Sequence, residues 1–391
     1  LLAIVLSAAG TVRALEFPPK KITIVMTGSV GGGQDRLTRV FVKVWEKHLG
    51  ARIGVLPMPG ASGRVGLDYF AAQSTDGTVL ASVNLSTASI MHRQQKPSWD
   101  WLATIHNLGV FGVDPGAIFV RKDSPYQTVE NIIDAARQQP MLIGVSQWSN
   151  SDNLVIHQII DQTGAQLQAI PAGGGSATVT AVLGGHVPVA VGKVSNINSV
   201  GGELRIIGMT MGENPIPQLT GNAPTINDVL NINSSFSASY RAIVVPASML
   251  IDHPDRYRIL KDSFEAAKDD QEYVERAAQN NISSDLILDL DHVALQALVD
   301  GYWKAYDESG AFFSVDQKLI TVNSELVDVG KDGESVVYLS DGEKKSIRIS
   351  RTRTRVEITG NTAARSQLKP GMGCEIGWIG LGIGASMIRC H

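Results

Sequence analysis

Three glycine-rich stretches occupy the same kind of position in this chain. Gly28-Ser29-Val30-Gly31-Gly32-Gly33, Pro59-Gly60-Ala61-Ser62-Gly63 and Ala172-Gly173-Gly174-Gly175-Ser176 each follow a short apolar run. Each precedes apolar residues spaced as on one face of a helix. Strand, tight turn and helix in repetition is the pattern of α/β folds, and it leaves few other architectures open. The chain holds 39 glycines in 391 residues without a G-X-Y period, which excludes collagen.

Residues 22–26 form the first strand candidate, and Leu37, Val40, Phe41 and Val44 recur at helical spacing after the first glycine stretch. Residues 52–56 form the next strand. A helix follows the second stretch as far as Gln73, and Asp76-Gly77 turns into a strand over 78–84. This βαβαβ order implies a mainly parallel sheet with helices on both faces. A second series starts after Ser124-Pro125, with helices at 129–137, 154–163 and 176–183 and strands at 142–146, 167–171, 187–191 and 205–211. Beyond the apolar run 242–245 the spacing is helical, at about 254–268, 270–280 and 291–308. The expected body is therefore two α/β lobes, with residues 16–118 and 246–320 in lobe 1 and 119–245 in lobe 2. Two crossings, near 118–121 and 241–246, favour a hinge over a loose tether.

From about residue 325 the texture changes. Short strand-like runs at 336–339, 346–349 and 355–358 are punctuated by Asp341-Gly342, Thr359-Gly360 and Lys369-Pro370-Gly371. Residues 325–391 thus read as a small antiparallel β-domain. Positions 326–391 carry ten Lys/Arg and seven Asp/Glu, so this piece is +3; the whole chain is −4, which leaves −7 on the remainder. Arg348, Arg351, Arg353 and Arg355 recur at mostly alternate positions. They read either as a basic patch for an acidic partner or anionic envelope, or as a solvated strand face. The two cysteines, Cys374 and Cys390, also lie here, outside any CxxC or Cys/His pattern. If the apolar, glycine-rich segment between them turns at Gly382, they face each other and a disulfide can form; two free thiols is the other reading.

At the other end, Leu1-Leu2-Ala3-Ile4-Val5-Leu6 and Ser7-Ala8-Ala9-Gly10 resemble the latter part of a secretory signal. Residues 1–14 would be its remnant, with cleavage after Ala14; a buried N-terminal strand is the alternative. No later stretch reaches transmembrane length, so an exported, periplasmic protein is expected. The small acidic excess argues against nucleic acid as a partner.

In a parallel sheet the glycine turns fall at the C-terminal strand edge, where open α/β folds bind ligands. A fourth turn of this kind, Ser146-Gln147-Trp148-Ser149-Asn150-Ser151-Asp152, is polar. Glycine lets the backbone approach a ligand closely, and the N–H groups that open the next helix favour negative charge. A bare need for positive φ would explain any one turn; the four together favour a small anion such as a carboxylate. Nucleotide binding fits poorly, because the first stretch is not G-x-G-x-x-G in register and no GK[ST] follows. There is no G-x-S-x-G or HExxH, and His48, His157 and His186 read as structural or exposed. No catalytic group, metal site or cofactor is expected.

At these same turns the chain resembles a known family. Phe17-Pro18-Pro19-Lys20-Lys21-Ile22-Thr23-Ile24-Val25 followed by Gly31-Gly32-Gly33-Gln34-Asp35 is similar to the opening strand and GGGTD loop of the periplasmic solute-binding proteins of tripartite tricarboxylate transporters, the TctC-like or Bug family. Pro59-Gly60-Ala61-Ser62-Gly63-Arg64-Val65-Gly66 with Asp76-Gly77 resembles its PGAGGNIG…DG segment. Ile170-Pro171-Ala172-Gly173-Gly174-Gly175 leading to Leu183-Gly184-Gly185-His186-Val187, and Gly202-Glu203-Leu204-Arg205 with Ala223-Pro224-Thr225-Ile226, resemble two later ones. The resemblance covers about residues 16–315 and leaves the β-domain outside. It implies a Venus-flytrap receptor of two α/β lobes closing on a small carboxylate. Carried over, the binding groups are Ser29, Gly31, Gly32, Gly33, Asp35, Ala61, Ser62 and Gly63 from one lobe, and Ser149, Asn150, Ser151, Gly174, Gly175 and Ser176 from the other.

Three departures bear on the ligand. Thr27-Gly28-Ser29-Val30 replaces an aromatic-proline start, Arg64 stands where a small or amide residue is usual, and Lys193 stands near a frequent acid. Two positive charges at the cleft edge would suit a dianion or polycarboxylate, unless both point to solvent. On this reading a monomeric receptor delivers an organic acid to a membrane permease. The alternative is an extracytoplasmic sensor for a two-component kinase, since one fold serves both roles. An enzyme would need a buried acid–base pair in the cleft, for which Asp35 is the one obvious candidate.

Overall fold

The periodicities are realised as paired strands with helices between them. The computed structural model describes residues 17–234, 237–313, 320–340, 342–349, 354–378, 384–385 and 387–391. Strand β1 (Lys21–Met26) leads through the first glycine loop into α1 (Gly33–Leu49). Then come β2 (Arg52–Pro57), α2 (Arg64–Ala71), β3 (Val79–Asn84), α3 (Leu85–Gln95) and the short α4 (Trp101–Thr104). β1 lies parallel to β2 on one side and β3 on the other, with Ile24 opposite both Val55 and Leu80. That central place buries Ile22, Ile24, Val25 and Met26 completely. On α1 the apolar stripe faces the same core: Leu37, Phe41, Val44 and Trp45 are fully buried, and Phe41 stacks on Phe111 at 4.9 Å. Each such side chain removed from water contributes about 1.5–3 kcal/mol.

The long β4 (Ile105–Arg121) joins the two lobes. Its first part pairs with β9 (Ala238–Pro246), and its last part, from Gly116, with β7 (Val189–Lys193) and β8 (Leu204–Met209). The sheet therefore runs β2-β1-β3-β9-β4 through the first lobe. In the second it continues β4-β7-β5-β6, with β5 (Met141–Val145) and β6 (Leu167–Pro171). The second lobe's helices are α5 (Val129–Gln138), α6 (Ser151–Thr163), α7 (Gly175–Leu183), α8 (Val194–Asn198), α9 (Pro217–Thr220) and α10 (Ile226–Leu230). The sheet is mixed rather than mainly parallel. β4 and β9 run antiparallel to every strand they pair with, because they carry the chain between lobes instead of closing βαβ units.

The exchange of partners along β4 falls at Pro115 and Gly116, and β9 belongs to the first lobe's sheet from Ala238 onward. Both crossings thus lie a few residues earlier than 118–121 and 241–246. Proline has no N–H to give a ladder, so it suits the point where a strand changes partners. Gly116 is required for a different reason: a Cβ there would stand 2.1 Å from the Ser237 carbonyl oxygen and 2.3 Å from Thr210 Oγ1. The Thr210 N–H donates to Gly116 O and the Ser237 N–H to Thr210 O, each at 2.9 Å. Three segments meet there, with the Thr210 and Ser237 hydroxyls filling the space a Cβ would need.

After β9, α11 (Met249–Asp252), α12 (Pro254–Lys268), α13 (Gln271–Ala278) and α14 (His292–Phe313) return to the first lobe. α14 also reaches the second, where Tyr302 and Ala305 join Ile90 of α3 and Leu154 of α6 in one cluster. The C-terminal sheet is separate, comprising β10 (Ile320–Val329), β11 (Ser335–Ser340), β12 (Glu343–Ile349), β13 (Arg355–Ile358), β14 (Asn361–Thr362), β15 (Gly373–Trp378), β16 (Gly384–Ala385) and β17 (Met387–Cys390). It is mainly antiparallel, although β13–β17 and β12–β16 run parallel. Leu326, Val336, Ile347, Ile376 and Ile388 form its core. Cys374 and Cys390 stand opposite each other on β15 and β17 and are joined by a disulfide. Arg348 is exposed on β12 whereas Arg355 belongs to β13, so the arginines do not share one strand. Arg351, Arg353, Gly382 and residues 1–14, expected as a leader remnant, lie outside the described residues. Among the described residues no helix is long and apolar enough to cross a membrane.

Candidate functional site

The parallel strands of both half-sheets end facing one another, and the loops there enclose a cavity of about 80 Å³. That is far below the ~300–1,000 Å³ of sites for drug-sized ligands, so a small molecule is the natural occupant. The lobes touch across it. Ser29 Oγ donates to Gly173 O (3.2 Å), Ser176 Oγ to Gly31 O (3.4 Å), and the Ser149 N–H to Ser62 Oγ (3.3 Å).

Five helices start at the cavity wall: α1 at Gly33, α3 after Asn84, α6 at Ser151, α7 at Gly175 and α8 after Lys193. On α6 the Asn150 side chain accepts from the Asn153 N–H. On α8 the Ser195 N–H is taken by Asp114, and among the described residues no side chain caps α1, α3 or α7. Their first N–H groups therefore look to whatever fills the cavity, and the aligned helix dipoles favour negative charge there. Glycine leaves room for the wall side chains within each lobe: a Cβ on Gly175 would stand 2.5 Å from Asn196 Nδ2, and one on Gly33 2.8 Å from Arg241 Nη2. The second loop reaches its place by strain, since Ala61 (φ 46°) and Ser62 (φ 57°) both hold left-handed backbone.

Of the residues singled out from the sequence, Ser29, Gly32, Gly33, Ser62, Asn150, Ser151, Gly174, Gly175 and Lys193 line the cavity. Gly31, Asp35, Ala61, Gly63, Arg64, Ser149 and Ser176 stand behind it or on its rim. Asp35 accepts the Gly31 N–H at 2.9 Å and pairs with Arg39, which fixes the loop. Arg64 turns away to Asp68 (3.2 Å) and the Gln95 carbonyl (3.3 Å). Lys193 does face the cleft, but its Nζ donates to Asp152 and, at 2.8 Å, to Ser237. The two positive charges expected at the cleft edge are thus not available as such: one lies elsewhere and the other is neutralised.

Other wall residues were not expected. Asn84 Nδ2 donates to Ser239 Oγ (2.8 Å) and Thr87 Oγ1 (3.0 Å), and Gln34 Nε2 to Ser82 O (2.8 Å). Arg241, on β9, donates to Asp114 and to Gly33 O, while Asp114 also accepts the Ser195 N–H at 3.0 Å. One network therefore joins the first glycine loop, the crossing strand β4 and α8 of the other lobe. Complete burial pulls the Arg241 pKa below its ordinary value, and Asp114 opposes that pull. A signal for Arg241 existed: β9 is buried at every position, and Arg is the one charge in its sequence ASYRAIVVP. Asp152 follows Ser151 directly and Asn84 ends β3, so the strand-edge rule that found their neighbours reaches both. Among the described residues no three His, Cys, Asp or Glu side chains could together hold a metal ion.

Comparison with known proteins agrees with this fold. The family profile described as "Tripartite tricarboxylate transporter family receptor" matches residues 37–286. The "UPF0065 protein in gbd 5'region" of Cupriavidus necator is 28% identical over 178 residues, 45% of this chain and 54% of that protein. The chain spans about half the length of the curated relatives it matches. Rpa4515 of R. palustris, solved with adipate, has a TM-score of 0.65 at 18% identity, covering 76% of this chain and 98% of that one. MatC of Rhodopseudomonas palustris, solved with bound malate, has a TM-score of 0.63 at 15% identity, covering 75% and 99%. These structures share the two-lobed periplasmic-binding-protein fold with residues of the body described above. With a profile match over most of its length, the chain belongs to the tripartite tricarboxylate transporter receptor family.

Proposed function

We propose that this protein is a periplasmic solute-binding receptor that captures a small organic carboxylate between its lobes and delivers it to a tripartite tricarboxylate-type membrane permease. The observation that carries this reading is the convergence of five helix starts, three of them (α1, α3 and α7) without a side-chain cap, on a small cavity between lobes in contact. Adipate and malate in the two R. palustris structures support a carboxylate here as well. The groups assigned to hold it are Ser29, Gly32, Gly33, Ser62, Asn150, Ser151, Gly174 and Gly175. Binding is coupled to closure, because a ligand touching both lobes has differential affinity for the closed state. A thermal-shift screen of organic acids tests the first half, since a ligand bound only by the folded state raises apparent stability. Uptake of the acid by cells with the permease, with and without this protein, tests delivery. Equal uptake in both would end that half of the reading.

A further inference from the structure

We infer that the cleft selects a small monocarboxylate with a neutral remainder, and that Asp152 is the residue that excludes dianions. The inference rests on the carboxylate-receptor reading above and names the ligand class within it. It follows from the charges in the wall and what each already binds.

Two cations line the cavity, Lys193 and Arg241, and each has a buried carboxylate partner. Lys193 is 8% exposed and its ammonium donates to Asp152, itself 1% exposed. Asp152 also lines the cavity. Its Oδ1 accepts from Lys193 and Ser237, and its Oδ2 from Asn150 Nδ2 at 3.2 Å. Arg241 is spoken for by Asp114 and the Gly33 carbonyl. The two pairs cancel. What remains positive is the set of helix starts and Arg36, whose guanidinium donates to Gly31 O (2.8 Å) and Asn196 Oδ1 (3.2 Å).

That field suits one carboxylate, seated between the starts of α1 and α7. The rest of the ligand then meets the remaining lining residues, Asn84, Thr87, Ala88 and Asp152 among them. A second carboxylate would be buried with no unpaired side-chain cation in the lining, and beside the Asp152 carboxylate, which already holds Lys193, so it would have to compete for that cation. A hydroxyl, carbonyl or methyl group meets neither penalty.

Calorimetric titration of the full chain with propionate, lactate and pyruvate, then malonate, succinate, adipate and citrate, decides the matter. A monocarboxylate should bind at least about tenfold tighter than any di- or tricarboxylate, a gap of about 1.4 kcal/mol. A dianion or citrate binding tighter than every monocarboxylate overturns the inference while leaving the receptor reading intact. Binding by none of these acids overturns both. Asp152→Asn supplies a second arm: it frees the Lys193 charge and should shrink the gap between propionate and succinate at least about tenfold. An unchanged gap in folded D152N removes Asp152 from the role. The titration of the unaltered protein stands if that variant does not fold.

Discussion

The receptor body buries two ion pairs at the seam between its lobes, Lys193 with Asp152 and Arg241 with Asp114. The C-terminal β-domain instead leaves its Arg389 42% exposed beside Glu357 and Glu375, and buries a disulfide. The contrast follows from size. A body of about 300 residues buries roughly three-quarters of its unfolded surface, so it tolerates charges in its interior. A domain of about 65 residues rarely gathers enough apolar core alone, and a covalent staple makes up the difference. In the body the buried charges lie at the cavity between the lobes; in the β-domain the buried bond joins two strands.

Breaking one partner of a body pair should have the largest effect. Arg241→Met leaves Asp114 buried without its cation and should cost about 3–5 kcal/mol. Denaturant melts followed by tryptophan fluorescence should show this in the body's transition with the β-domain's unmoved. A shift shared by both would dissolve the distinction between them. Next, the double change Cys374→Ser and Cys390→Ser opens a loop of 16 residues and should remove about 3 kcal/mol from the β-domain. Calorimetry should find ligand affinity unchanged in that variant.

Acid should separate the two regions with a smaller effect. Burial holds His157 down to about 4. Burial, then the charges of His292 and Lys261, hold His106 at about 4 too. The unfolded chain, with histidines near ~6.5, binds more protons between these values, so stability present above pH ~6.5 is lost as pH falls towards 4. The one histidine of the β-domain is His391, exposed at its end, so only the body's melting temperature should slope with pH. His106→Gln with His157→Gln should flatten that slope; a slope unchanged in the double variant would point to other groups. Smallest of all is Arg64→Ala, expected within about 0.5 kcal/mol in stability and neutral for ligand affinity. A clear loss of affinity would place Arg64 in the cleft after all.

How far the sequence could be read depended on how local each cause was. Helix 254–268 and strands 167–171 and 355–358 stand where the apolar spacing put them, because period and turn chemistry act over a few residues. The cysteine pair was legible as one of two readings, since a turn midway between them would set position 374 against 390, and β15 and β17 do pair those positions. The glycine loops were legible as the rim between the lobes, where residues of each line the cavity, because close approach of backbone depends on missing side chains. Which side chains point inward was not. Arg64 opens α2, where Asp68 one turn on was a local partner within reach, but its second partner, the Gln95 carbonyl, lies 31 positions away and was not legible. The neutralisation of Lys193 depends on Asp152, 41 positions away, and on Ser237, 44 positions away. Partnerships over such separations arise only when lobes and crossing strands come together.

The place of β9 has a consequence for the order of synthesis. It lies between β3 and β4, fully buried, yet it comes 117 residues after the end of β4, the difference between positions 121 and 238. A chain leaving the ribosome or translocon therefore presents β1 to β4 with their central neighbour still missing. The second lobe's strands are adjacent in sequence to β4 and can pair first. The N-terminal lobe is thus the later one to close, and every truncation before residue 238 leaves its sheet split in two.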